Sequence, residues 1–201
     1  NPAVSQYRLT AHLGNAVIIY SYILWVAFGL IEEMREPLVK LSINISQGIK
    51  ITAYTITALL FLMILSGGMV AGTRAGLAYS TFPLMGETFI PPGLYNMSPF
   101  WLSAFEDITT IQFNHRMFAY ILLVVISSFF LIGFYRLKSI RLRAGLVCLI
   151  ALLITQVSLG IATIMLHVPL LYAAAHQGTA IALLTVSLFL SSCFYNSGKK
   201  I

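Results

Sequence analysis

Charge is in short supply in this sequence. Lys, Arg, Asp and Glu together make up 9% of its 201 residues, against roughly a quarter in an ordinary soluble domain. With 59% of residues hydrophobic and a mean hydropathy of +0.89, that shortage excludes a soluble globular fold. Cysteine is scarcer still: Cys148 and Cys193 fall inside apolar stretches, read as small packing residues, and carry no information about redox compartment. The acidic residues stand clear of the apolar stretches, in two connections (Glu32, Glu33 and Glu36; Glu87, Glu106 and Asp107). An initiator Met and a signal peptide are also missing, and the first apolar stretch starts within a few residues. The chain is expected to be a piece of a longer protein.

What is abundant is uninterrupted apolar sequence. A helix needs ~20 apolar residues to cross a hydrocarbon core of ~30 Å. Leu9 to Ile31, Ile51 to Thr73 and Met117 to Tyr135 each supply such a stretch. From Ala144 to Gly198 no charged residue occurs, enough for two spans hinged near His167, Val168 and Pro169. The expected fold is an all-α integral membrane protein with five transmembrane helices. The net charge of +6 does not signal nucleic acid, because the basic residues are sorted. Arg35, Lys40, Lys50, Arg136, Lys138, Arg141, Arg143, Lys199 and Lys200 fall on one side of the predicted membrane, and only Arg8, Arg74 and Arg116 on the other. The positive-inside rule then puts the amino terminus outside and the carboxyl terminus inside.

Residues 1–33 read as the last helix of one unit, 34–50 as a polar inner linker, and 51–201 as a four-helix unit with a long outer loop at 74–108. Loops of that length are commonly functional. Phe82, Phe89, Tyr95, Phe100, Trp101 and Phe105 suit this one to the headgroup level, and Ser98 before Pro99 is placed to start a short interfacial helix. The loop is expected to form an outer lid. Gly68, Gly72 and Gly76 recur at the four-residue spacing of close helix packing. A more specific repeat is Ala-His-x-Gly-x-Ala, at residues 11–16 and again at 175–180, each copy opening a helix from the outer side. It implies duplicated halves that each close with a histidine-bearing helix.

The histidines are His12, His115, His167 and His176. Thr109 with Gln112 is a candidate capping box that sets His115 about two turns, or ~9 Å, into its helix. Pro169 as first helical residue and Ser5 as N-cap put His176 and His12 at similar depth. Ionisable groups in a membrane are costly and usually face the bundle interior for a purpose. Each of these three also has alanine four residues on (Ala16, Ala119, Ala180), which leaves room for a flat ligand on the same helix face. Structural zinc recruits cysteine or further nitrogen ligands at short spacing, and non-haem iron wants a carboxylate; neither is at hand. Haem needs only one or two axial groups and an apolar slot between helices. His115 and His176 are the candidate bis-imidazole pair, and His12 lacks its partner in this sequence. Arg116 is a candidate for a haem propionate or a snorkelling anchor, and His167 reads as a loop residue. Two other readings share these residues: a non-catalytic membrane cytochrome b that relays electrons, and a transporter or scaffold with structural histidines.

Asn1 to Gly14 (NPAVSQYRLTAHLG), Gly67 to Gly86 (GGMVAGTRAGLAYSTFPLMG), Gln112 to Arg116 (QFNHR) and Leu159 to Gln177 (ending LHVPLLYAAAHQ) resemble the haem A synthase family, and the resemblance spans nearly the whole chain. It implies an eight-helix membrane protein of two similar four-helix halves, of which this chain holds the fourth helix and the second half. It implies an oxidoreductase that turns a methyl group of haem O into the formyl of haem A for cytochrome oxidase, by successive hydroxylation to a hydrated aldehyde that loses water. His115 and His176 are then the axial ligands of a bound haem b. His12 is one of two histidines at the substrate-haem site, whose other residues lie in helices absent from this sequence, so the chain is expected to retain the haem b site alone. The resemblance also implies haem O, membrane lipid, haem O synthase, cytochrome oxidase assembly factors and an electron donor as partners. The location is the bacterial cytoplasmic membrane, with the mitochondrial inner membrane as the alternative.

Overall fold

Hydrocarbon offers a backbone N–H or C=O no partner, so an apolar stretch in a membrane satisfies these groups internally by coiling into a helix. The computed structural model describes residues 5–35 and 45–197. In chain order these form α1 (Gln6–Arg35), α2 (Gln47–Thr73), the one-turn α3 (Ser103–Glu106), α4 (Ile108–Arg136), α5 (Ile140–Met165) and α6 (Leu170–Asn196). All but α3 are long and apolar enough to cross a membrane. Among the described residues there is no extended strand, only a bridge between Met85 and Thr88. The chain is an all-α integral membrane protein, as its apolar runs predict. Glu36, Pro37, Lys40 and Asn44 of the inner linker lie outside the described residues, as do residues 1–4, Lys199 and Lys200.

Helix ends follow local chemistry. Helix α4 starts well before the apolar run at Met117, because Asp107 caps it, its carboxylate accepting from the Thr110 N–H at 2.8 Å. The expected capping box of Thr109 with Gln112 does not form. A charged carboxylate at the positive end of the helix displaces threonine from that role, and Gln112 turns toward the outer loop instead. Arg74, in the left-handed region at φ 57°, closes α2 by donating its N–H to Ala71 and Val70. His167 and Val168, both at positive φ, make the turn from α5 to α6, with Pro169 as N-cap rather than first helical residue.

Helices α2, α4, α5 and α6 close a ring in which each touches the next, and α1 packs outside it against α2 and α6. Two ring members, α4 and α6, therefore stand on a diagonal. Gly68 and Gly72 permit the approach of α1. A Cβ on Gly72 would come within 2.7 Å of the Gln6 Cα, and one on Gly68 within 3.1 Å of the Thr10 Oγ1. In lipid, such close contact takes the place of the hydrophobic effect in holding helices together. The tightly buried core fills the ring from its inner end and stops at the level of Ile64, Leu122, Leu153 and Leu183. Cys193 packs against that core, whereas Cys148 faces outward from α5 and so is not the interior packing residue its apolar neighbours imply.

Candidate functional site

His12, His115 and His176 stand six, seven and six residues past the first residue of their helices. At 1.5 Å per residue they share a level ~9–10 Å in from the outer ends. They do not share a site. His115 on α4 and His176 on α6 look into the ring from opposite corners, each reaching a neighbouring ring helix, α2 and α5 respectively. His12 and Ala16 are exposed on α1, on the face turned away from α2 and α6. His167 is exposed in the turn between α5 and α6.

Each interior imidazole is held through Nδ1. The Nδ1 of His115 lies 3.0 Å from the Ser66 hydroxyl of α2, and neighbouring Gly67 leaves room, since a Cβ there would stand 3.6 Å from the ring Cε1. The Nδ1 of His176 lies 3.1 Å from the Gln156 carbonyl oxygen of α5. It gets that close because Gly160, one turn on, has no side chain: a Cβ there would come within 2.9 Å of Cε1. The Gln156 amide nitrogen sits 3.3 Å from the Nε2 of the same ring. Sequence reading finds the histidines but misses Ser66, Gln156 and Gly160, because no local pattern marks a contact made across helices.

The outer loop is clamped to α4 by the residues flanking His115. Gln112 donates to the Tyr79 carbonyl at 2.9 Å and that of Gly76 at 3.4 Å. Asn114 accepts from the Tyr95 hydroxyl at 2.8 Å. Arg116 donates through Nη1 to Thr81 at 2.9 Å and Leu84 at 3.3 Å, and through Nη2 to Tyr79 at 3.0 Å. Only 8% exposed, this side chain does not snorkel; its terminal nitrogens are engaged by loop carbonyls, while its buried Nε meets no hydrogen-bond partner. At the far side of the loop a short helical segment follows Pro99 as expected. Its Glu106 accepts from Gln6, at 3.0 Å, and from the Tyr7 hydroxyl, both on α1. Phe89, Phe100, Trp101 and Phe105 remain exposed, as suits the headgroup level. The lid thus ties α4 of the ring to α1 outside it.

Among the described residues no group of three or more His, Cys, Asp or Glu gathers to hold a metal ion. Two imidazoles at opposite corners of the ring, each beside a glycine of the neighbouring helix, are instead a donor pair of the kind a flat metal-bearing macrocycle between helices takes.

Comparison with known proteins bears on that arrangement. Residues 1–188 match the model of the COX15-CtaA family, described as cytochrome oxidase assembly protein. A protein named "Heme A synthase" from Nitrosospira multiformis is 45% identical over 194 residues, covering 95% of this chain and 53% of that protein. "Heme A synthase COX15" of Bos taurus is 39% identical over 195 residues (94% and 45%), and its human counterpart 38% over 190 residues (94% and 45%). The chain spans about half the length of the curated relatives it matches. With that match running through the clamped loop and both interior histidines, the chain belongs to the cytochrome oxidase assembly protein family.

Proposed function

We propose that this chain is the haem b-binding portion of a haem A synthase, the oxidoreductase that converts the haem O methyl group to the formyl of haem A. The names of its relatives supply the activity. Within the chain, the observation that carries the reading is the diagonal pair His115 and His176, at one level, each with Nδ1 engaged. Haem b bound there supplies reversible one-electron transfer, at a potential set by ligation and burial. The chain's own residues orient the two ligands, leave space at Gly67 and Gly160, and hold a lid over the outer edge that keeps water away. Arg116 acts in this through the loop backbone.

His12, facing away from the ring, is proposed as a ligand at a separate site for substrate haem O, with 1–33 belonging to that other half and 51–201 forming the haem b half. Lys50, Arg136, Lys138, Arg141 and Arg143 cluster at the end of the bundle away from the lid. This distribution supports an amino terminus outside and a carboxyl terminus inside. The identities to bacterial relatives favour the bacterial cytoplasmic membrane.

The test is spectroscopic. In full-length protein purified from haem-replete cells, His115→Ala and His176→Ala are each expected to abolish the low-spin bis-histidine spectrum, and its survival in both refutes the assignment. Haem analysis of a strain lacking haem A synthase, complemented with the full-length gene, tests the enzyme. Accumulation of haem b with no haem A there points to an electron-carrying cytochrome instead.

A further inference from the structure

We infer that Gln156 and Ser66 are positioning residues, that Gln156 presets His176 to bind iron through Nε2 while Ser66 orients the His115 ring from its Nδ1 side, and that the Gln156 side chain caps the ligand nitrogen of His176 until a macrocycle displaces it. The inference rests on the haem site proposed above.

A neutral imidazole carries one ring proton, and the hydrogen bond made by its other nitrogen decides which nitrogen is free to bind a metal. The Gln156 carbonyl can only accept, so its 3.1 Å contact places the His176 proton on Nδ1. Nε2 is left with a lone pair. The Gln156 amide nitrogen, 3.3 Å from that lone pair, can only donate. Both contacts therefore select the same tautomer, and the reverse amide orientation would set one acceptor against another. A single residue thus holds the whole ring, its main chain at one nitrogen and its side chain at the other.

Nε2 is also the position iron takes, so amide and iron compete for one lone pair. The remaining amide oxygen of Gln156 is buried with no hydrogen-bond partner, which leaves the side chain poorly satisfied where it lies and easy to displace. His115 has half of this arrangement. Its Nδ1 meets a hydroxyl at 3.0 Å, which donates or accepts as required; with iron on Nε2 the proton resides on Nδ1 and Ser66 accepts. The one orienting group is main chain and survives any side-chain substitution, whereas the other is a side chain that mutation removes.

Full-length protein purified without haem is titrated with haemin, and the same variants are also loaded in cells for potentiometry. Wild type must first give the low-spin bis-histidine spectrum; its failure to do so refutes the haem site itself, separately from any role of Ser66 or Gln156. Gln156→Leu keeps the carbonyl and removes the amide. It is expected to bind haemin roughly fivefold more tightly, the equivalent of about 1 kcal/mol for one net hydrogen bond, with spectrum and midpoint potential unchanged. Gln156→Met, unbranched, gives the same reading should the leucine variant not assemble. Ser66→Ala is expected to stay low-spin but to raise the midpoint potential, because an acceptor at Nδ1 makes the ring a stronger donor and favours ferric iron. Ser66→Thr restores it. Haemin binding by the Gln156 variants that is equal to wild type or weaker overturns the cap, and an unmoved potential in Ser66→Ala overturns its orienting role.

Discussion

Gly160→Ala adds a single methyl group to α5 at the point where the His176 ring crosses it. The new Cβ would lie 2.9 Å from Cε1, 3.4 Å from Nδ1 and 3.7 Å from Nε2, whereas carbon–carbon contacts settle at ~3.5–4.0 Å. The ring must retreat by ~0.6–1 Å to relieve the clash, which stretches its 3.1 Å bond to the Gln156 carbonyl beyond hydrogen-bonding range. In the haem-free protein the side chain can rotate away. With haem bound it is pinned by iron, so the overpacking strain of about 1–3 kcal/mol falls mainly on the loaded state. Haem affinity should therefore drop roughly 5- to 150-fold, with loss of low-spin character as the axial bond lengthens. The helix itself does not suffer, since alanine is favoured over glycine there by about 1 kcal/mol. The assay is a haemin titration followed by absorption and electron paramagnetic resonance, with circular dichroism to check the fold. Gly178→Ala, whose Cβ would meet nothing within 4 Å, is the control on α6, and Gly67→Ala, at an ordinary 3.6 Å contact with His115, should be mild. An affinity for Gly160→Ala within about twofold of wild type, with an unchanged low-spin signal, refutes the packing argument.

Other expectations concern the lid, the α1 contact and the topology. Arg116→Lys should loosen the outer loop despite keeping the charge, since an ammonium cannot span the Tyr79, Thr81 and Leu84 carbonyls as a guanidinium does. Each charged hydrogen bond lost weakens closure by about 1.5–3 kcal/mol, to be read as faster protease cleavage within 74–108; wild-type resistance in the variant would count against the clamp. Gly72→Ala presses a methyl group to 2.7 Å from the Gln6 backbone and should lower the melting temperature, whereas Gly48→Ala, with open space around it, should not. In a background lacking Cys148 and Cys193, a membrane-impermeant maleimide added to intact cells should label Ser98→Cys and spare Lys138→Cys; the reverse pattern would invert the topology.

Sequence by itself determined the number and approximate extent of the membrane helices, because in hydrocarbon an apolar run has no other way to satisfy its backbone. It determined the depth of the histidines too, since depth is counted along one helix from its end, and replacing Thr109 by Asp107 as the cap of α4 moves that count by less than a turn. The short helix after Pro99 and the close packing at Gly68 and Gly72 were legible for the same reason, each being written in local spacing, though only the fold shows that α1 is what packs there. Only the tertiary structure decided which histidines meet. His115 and His176 occupy opposite corners of the ring while His12 faces away, and that depends on the order in which the helices pack. Hydropathy carries little of this information, because lipid-facing and core-facing side chains are equally apolar. The same holds for Ser66, Gln156 and Gly160, whose contacts cross from one helix to another, and for Arg116, whose partners are loop carbonyls more than thirty residues earlier in the chain. In a membrane bundle, sequence sets how deep a group lies, and packing sets what it faces.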